Sequence, residues 1–431
     1  MTEDTCEAWP LWRRLLFRWW FAYAVLFIFP FPLPNLTDRI SLDWMLNAQT
    51  ALAVWVGHHL VGVADVPVTT VTGSGDTMVG WLTALTLILL GALIAVVWSL
   101  ADRRTTAHPK LQVALRVYVR YALFAILISY GFAKVLPTQF PQPGLVRLST
   151  QVGELSPMGL LWTFMGYSVP YNVFAGVLEA GSAVLLLSRR TTLLGALLAM
   201  GVMGNIVMLN LAYDVPVKLF SMQLWIFAAW LALPDAGRLV KVFLLNQPAP
   251  AADLAPVTEA RWYPWARLAG KLVAVWLLWL NISGQMKGYQ ESQHEMATTG
   301  KVYGIWNVSE YTVNGATLAA PESARAWRRF GVDPSTDRGR LRLENDSLIT
   351  VTVAADSLLA RIEVYPIDSL FRKDSSAAAI LHLVERRGES LALAGSYLGD
   401  TIRLVLSPAS RGRFQLMTRG FRWVQEYPYN R

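Results

Sequence analysis

Glu179 stands near the middle of the apolar run Tyr171 to Leu187, and Lys134, Asp214 and Lys218 stand at the ends of neighbouring apolar runs. An ionisable side chain inside hydrocarbon is costly unless it meets a counter-charge, hydrogen-bond partners or a water-filled cavity. A carboxylate beside an ammonium at that depth is equipped to exchange a proton, so Glu179, Lys134 and Lys218 are the candidate catalytic residues. On a helix, positions seven apart differ by about 20° in direction, which puts Asn172 on the face of Glu179. Ala175 and Gly176 between them are small enough for a second helix to approach. Glu179 is therefore expected to face other helices, with Lys134 or Lys218 as its partner. Tyr171, Asn172, Gln139, Asn205, Asn210 and Asp214 are the candidate binding residues around it.

Each of these has a purely structural alternative. Asp214 precedes Val215-Pro216 and fits a helix cap, as does Ser168 before Pro170. The two lysines fit side chains that reach out to the interface. Asn205 and Asn210 fit helix-packing hydrogen bonds, and Glu179 itself fits a buried structural bond.

The elements that must position these residues are membrane helices. Of 431 residues, 54% are apolar and 16% charged, below the roughly 25% charged of ordinary globular domains. The deficit lies in runs long enough to cross a bilayer. Seven spans are expected, at 15–33, 79–100, 113–135, 170–188, 191–211, 216–233 and 265–283. The first follows Arg13, Arg14 and Arg18 and lacks a small-residue cleavage site, so it reads as a retained span. Arg103, Arg104 and Lys110, then Arg189 and Arg190, then Arg238 and Lys241, then Arg261, Arg267 and Lys271 fall on one side. That pattern puts the amino terminus in the cytoplasm and the carboxyl-terminal region outside, in an inner membrane. It also accounts for much of the net charge of +8 without a nucleic-acid partner. One cysteine, Cys6, excludes internal disulfides and cysteine metal cages. Five scattered histidines argue against a metal centre, and adjacent His58 and His59 have diverging rings unsuited to a haem.

Five regions follow. Residues 1–111 hold two spans and an outer segment, 41–64, that is either interfacial or re-entrant. Residues 112–245 form a four-helix membrane core, with an outer connection rich in Pro, Gly and Gln at 137–157 and a short helix from Met158 to Tyr167. Residues 246–264 are a cytoplasmic linker, Pro-rich from Asn246 to Val257, and 265–284 are the seventh span. Residues 285–431 alternate apolar with polar in Leu348–Val353, Arg361–Tyr365, Thr401–Leu406 and Arg413–Met417, with turns at Glu344–Asp346, Arg387-Gly388 and Leu398–Asp400. This predicts an antiparallel β-barrel or sandwich. The aromatic end Glu426–Arg431 suits packing on a membrane or a partner.

Several motifs in 115–235 occur in a recognisable order. Ser129-Tyr-Gly-Phe-Ala-Lys134 closes the third span and Gln139-Phe-Pro141 follows outside. Gly176-Val-Leu-Glu179-Ala-Gly then lies in the fourth span, and Arg189-Arg-Thr191 turns into a small-residue helix. This block resembles the DoxX-like family of four-helix membrane proteins. Asn210-Leu-Ala-Tyr-Asp-Val-Pro-Val-Lys218 is similar to a larger subgroup with an added outer β-domain. The resemblance implies a membrane four-helix bundle and either a quinone-linked redox role or a place in a membrane assembly; these positions supply no haem or flavin motif, so a redox role would need a quinone or a partner protein. Gly304-Ile-Trp306 resembles the opening of lipocalin-type barrels, which implies Arg419, on a last strand, covering Trp306 by a cation–π contact; the alternative is Trp306 as an ordinary core residue. No nucleophile, metal cage or phosphate loop is present, so a component or scaffold of a membrane complex, its β-domain binding a partner protein or lipid, ranks first. A quinone-linked oxidoreductase subunit ranks second. A transporter ranks last, because no internal repeat is visible.

Overall fold

The computed structural model describes residues 8–32, 42–68, 74–252, 260–298, 304–317, 326–332, 338–356, 361–366, 376–410, 412, 414–420, 422–423 and 425. Linker residues 253–259 and the tail Glu426–Arg431 lie outside the described residues. The chain forms two compact units, Met1–Leu136 with Asn172–Gly284, and Pro137–Tyr171 with Gln285–Arg431.

The first unit is helical: α1 (Leu11–Ile28), α2 (Asp43–Val56), α3 (Met78–Ala101) and α4 (Pro109–Val135) come before the Pro137–Tyr171 segment. That segment contains α5 (Pro157–Tyr167), and after it run α6 (Val169–Leu186), α7 (Thr192–Ala212), α8 (Lys218–Ala232), α9 (Ala236–Phe243) and α10 (Tyr263–Thr298). Among the described residues, six helical stretches are long and apolar enough to cross a membrane: Met78–Ala101, Pro109–Val135, Val169–Leu186, Thr192–Ala212, Lys218–Phe243 and Tyr263–Glu291. Exposed Leu93, Val97, Val177, Val184, Leu194 and Met208 give them a surface suited to lipid, and the protein is a membrane protein. The first expected span, α1, has Arg13, Arg14 and Arg18 within its 18 residues, which leaves it outside that group. It packs along α3 at Gly91, where an added Cβ would lie 3.3 Å from the Tyr23 nitrogen. Leu123, Phe124, Leu127, Leu186, Ala196, Phe227 and Leu231 form the centre of the bundle.

Segment 41–64 becomes α2 followed by the wide turn Gly57–Val61. His59 Nδ1 lies 3.0 Å from the Trp55 carbonyl and its ring stacks on Trp55. Between α3 and α4, His108 is buried among Phe17, Trp9 and Trp98. Arg18 Nε donates to His108 Nε2 at 3.1 Å, and Arg18 also reaches the Asp102 carboxylate at 3.4 Å. An imidazole that accepts from a guanidinium is neutral.

The second unit contains a closed β-barrel of β1 (Gly304–Val313), β2 (Trp327–Val332), β3 (Arg338–Leu343), β4 (Leu348–Asp356), β5 (Arg361–Pro366), β6 (Ala379–Arg387), β7 (Ser390–Tyr397) and β8 (Asp400–Pro408). Every strand pairs antiparallel with its sequence neighbour, and β1 pairs with β8 from Trp306↔Pro408 to Val313↔Ile402. The two-residue strand Ala316–Thr317 folds back on β1 through Asn314-Gly315, both at positive φ, as an Asn-Gly hairpin turn requires. Alternate residues point inward: Trp306, Trp327, Phe330, Leu341, Val351, Val353, Ile362, Val364, Leu381, Leu393, Leu404 and Leu406 fill the interior. The fold class expected from the sequence, a membrane helical bundle followed by an antiparallel barrel, is the one observed.

One expected strand is absent. Within Arg413–Met417, residues from Gln415 belong to the short helix Gln415–Thr418. The β1–β8 pairing has already closed the sheet, so no edge remains to take another strand. Arg419 therefore follows a helix, where its guanidinium donates to Gln425 Oε1 at 3.4 Å.

Burial, then the Arg18 charge, holds the His108 imidazole below its ordinary value near 6.5. The unfolded chain then binds the proton that the folded chain refuses, so stability rises with pH through this window. The His108 contribution is complete above about pH 6.5 and is lost as pH falls below it. The unfolding temperature of detergent-purified protein is expected to drop between pH 7 and pH 5, and His108→Gln to flatten that drop.

Candidate functional site

The buried face of α6 runs Asn172, Gly176, Glu179, Ser182, Ala183 and Leu186, the spacing of one helical stripe. It meets α4 where two glycines oppose each other. An added Cβ on Gly176 would lie 2.5 Å from the Gly131 carbonyl oxygen and 2.9 Å from Lys134 Cβ. One on Gly131 would lie 2.8 Å from the Gly176 carbonyl oxygen. No larger residue fits at either position without separating the helices.

One helical turn from this contact, Lys134 Nζ donates to Glu179 Oε2 at 2.5 Å. Both side chains are almost fully buried, at 7% and 3% exposure. Lys134 also lies 5.8 Å from the centre of the Tyr130 ring, and the Ser182 hydroxyl donates to the Glu179 carbonyl at 2.7 Å. The structure thus brings together Glu179 and Lys134, with Asn172 fully buried on the same face. A charge pair of this burial holds two helices in one register, and it is a place where a proton can be stored or passed.

The other candidates make different contacts. Lys218 pairs with Asp214 at 2.7 Å and Asp76 at 3.7 Å, away from Glu179. Asp214 is exposed, with a positive φ of 50°, and does not cap α8. That role belongs to Asp76, whose two oxygens accept the backbone N–H groups of Lys218 at 2.8 Å and Leu219 at 3.0 Å. Nearby, the Gly75 N–H donates to the Pro216 carbonyl at 2.7 Å. Asn210 donates to the Ser221 hydroxyl at 2.9 Å, a helix-packing bond between α7 and α8. Asn205 is exposed and makes no bond to Glu179. Tyr171 and Gln139 belong to the second unit, where Tyr171 packs edge-on to Phe164 and Gln139 Oε1 is buried without a partner. Among the described residues no cluster of His, Cys, Asp and Glu could hold a metal.

Sequence reasoning missed Asp76. Its signal was the polar run Ser74-Gly-Asp-Thr77 before α3, which resembles a local cap. Thr77 performs that local task, accepting from the Gly80 N–H at 3.1 Å, and this leaves Asp76 for a helix 142 residues away.

No family model and no solved structure matches this chain. Over 140 residues it is 31% identical to a protein of Bacillus subtilis (strain 168) described as the uncharacterised protein YwoB, a match that spans 32% of this chain and 86% of that relative.

Glu179→Ala leaves an uncompensated buried ammonium and is expected to destabilise the bundle by about 3–5 kcal/mol, whereas the double change Glu179→Met with Lys134→Met recovers most of that loss. Thermal unfolding of the purified protein followed by tryptophan fluorescence reads the difference; equal losses in the single and double variants would contradict it. By the same measurement Asp76→Ala, which strips the cap from α8, is expected to cost about 1–2 kcal/mol.

Proposed function

Since the chain belongs to the family of the uncharacterised Bacillus subtilis protein YwoB, we propose that it is a multi-pass component or assembly factor of a membrane complex. Its membrane core is DoxX-like, and its β-domain binds a partner protein or lipid. The observation that carries this reading is the packed barrel interior. Trp327, Phe330, Leu341, Leu381 and Leu393 are buried within it at 1% exposure or less, so the barrel works from its outer surface and not as a ligand container. The distribution of basic residues supports a cytoplasmic amino terminus and an extracytoplasmic barrel in the inner membrane.

Removal of residues beyond Gly288 tests the reading. The truncated chain is expected to insert in the membrane and to lose the polypeptides that crosslink to the full chain. Unchanged crosslinking would refute it.

A second reading, a quinone-linked oxidoreductase subunit, is favoured by the buried pair alone. Glu179 then donates or accepts the proton that accompanies quinone chemistry, with Lys134 as its charge partner. Glu179→Gln is expected to abolish any quinone-dependent activity of the purified assembly while the protein still folds. Retained activity, with no quinone copurifying, would dismiss this reading.

A further inference from the structure

Three arginines line an open cleft in the barrel unit. One wall is the segment that carries Ser149 and Thr150; the other is the outer face of β2 and β3. Strand period two puts Arg340 and Arg342 on that outer face, with Leu341 and Leu343 inward. Arg329 of β2 stands directly opposite Arg342 in the register, and Gly331 opposite Arg340. Gly331 lets the wall approach: a Cβ there would sit 3.1 Å from Val146 Cγ2.

Like charges facing each other across a sheet repel, so this arrangement needs anions. Glu154 supplies one, with both oxygens 2.6 Å from Arg342 Nη2. Asp346 supplies a second, largely exposed, shared between Arg328 at 2.8 Å and Arg342 at 3.4 Å. Arg329 donates to Asn307 Oδ1 at 3.0 Å. Arg340 donates to the Thr150 hydroxyl at 2.6 Å and meets no carboxylate among the described residues. Its guanidinium is held below the ordinary value by burial and then by the nearby charge of Arg147. Ser149 Oγ is buried with no hydrogen-bond partner. Among the described residues, rigid N–H forks outnumber carboxylates here, and an unused hydroxyl joins them at one opening.

We propose that this cleft binds a phosphate-type oxyanion, held by the guanidinium of Arg340 and the unused hydroxyl of Ser149, with Thr150, which accepts from Arg340 and donates to the Val146 carbonyl, fixing the arginine in place. Guanidinium forks match the oxygens of a phosphate, and a multiply charged anion satisfies several of them at once. Two carriers present the same chemistry, a soluble phosphate compound and an anionic lipid headgroup. The wall segment joins two membrane helices, α4 and α6, which brings the second carrier into consideration. The headgroup carrier rests on the lipid binding proposed above for the β-domain, whereas the soluble carrier is independent of that reading.

The test is calorimetric titration of the full chain in neutral detergent, at constant ionic strength, with inorganic phosphate, dihexanoylphosphatidylglycerol and dihexanoylphosphatidylcholine. Saturable binding of phosphate, of the glycerol lipid or of both is expected, weakened at least about tenfold by Arg340→Met, as loss of a charge-assisted hydrogen bond implies. Phosphate alone identifies a soluble carrier, the glycerol lipid alone a headgroup, and both a site that reads a net-anionic phosphate on either carrier. Ser149→Ala, which removes only a hydroxyl, is expected to weaken binding without altering the unfolding temperature, so a folding defect in Arg340→Met does not hide the result. Absence of saturable binding to the wild-type chain would overturn the proposal. So would equal binding of the choline lipid, or affinity unchanged in both variants.

Discussion

Helices in hydrocarbon gain little by hiding apolar surface from one another, so their association depends on close backbone approach and on polar contacts. The junction of α4 with α6 uses both. Gly131 and Gly176 bring the two backbones together, and one turn away Lys134 and Glu179 close a charge pair with almost no exposed surface. The glycines set the separation at which the ammonium reaches the carboxylate. The pair in turn fixes the rotation of α6, which carries Asn172 and Ser182 inward on the same stripe. Glu179 is tolerated within the membrane helix because this geometry exists.

A second constraint of the same kind operates between α3 and α8. The first N–H groups of α8 have no partner within their own helix, and Asp76 satisfies two of them from a distant part of the chain. Lys218 completes the arrangement by pairing with Asp76 and Asp214. A lysine that alone looks like a catalytic partner for Glu179 is thereby engaged in holding a loop against a helix start.

The barrel solves a different problem. A sheet with free edges exposes unpaired backbone groups, and the pairing of β1 with β8 removes them. The aromatic and branched interior then stabilises the closed form by burial. Closure also explains why the apolar alternation near Phe414 does not yield a strand. The charges of this unit stand on its outer face, where Arg329, Arg340 and Arg342 alternate with the inward apolar set.

Local composition was enough to reveal the membrane helices, the inward face of Glu179 and the strand alternation in Leu348–Val353, Arg361–Tyr365 and Thr401–Leu406. These features follow from length, hydropathy and period, which neighbouring residues fix among themselves. The choice of Lys134 over Lys218 as the partner of Glu179 was not legible, since both stand at the ends of apolar runs and only helix packing separates them. Asp76 as the cap of α8, the three arginines meeting one loop, and the end of the sheet at β8 were equally hidden. Each depends on contacts between residues far apart in the chain, and spacing along a sequence carries no record of which distant segments meet. Sequence determined what each segment is; tertiary structure decided which charges face one another.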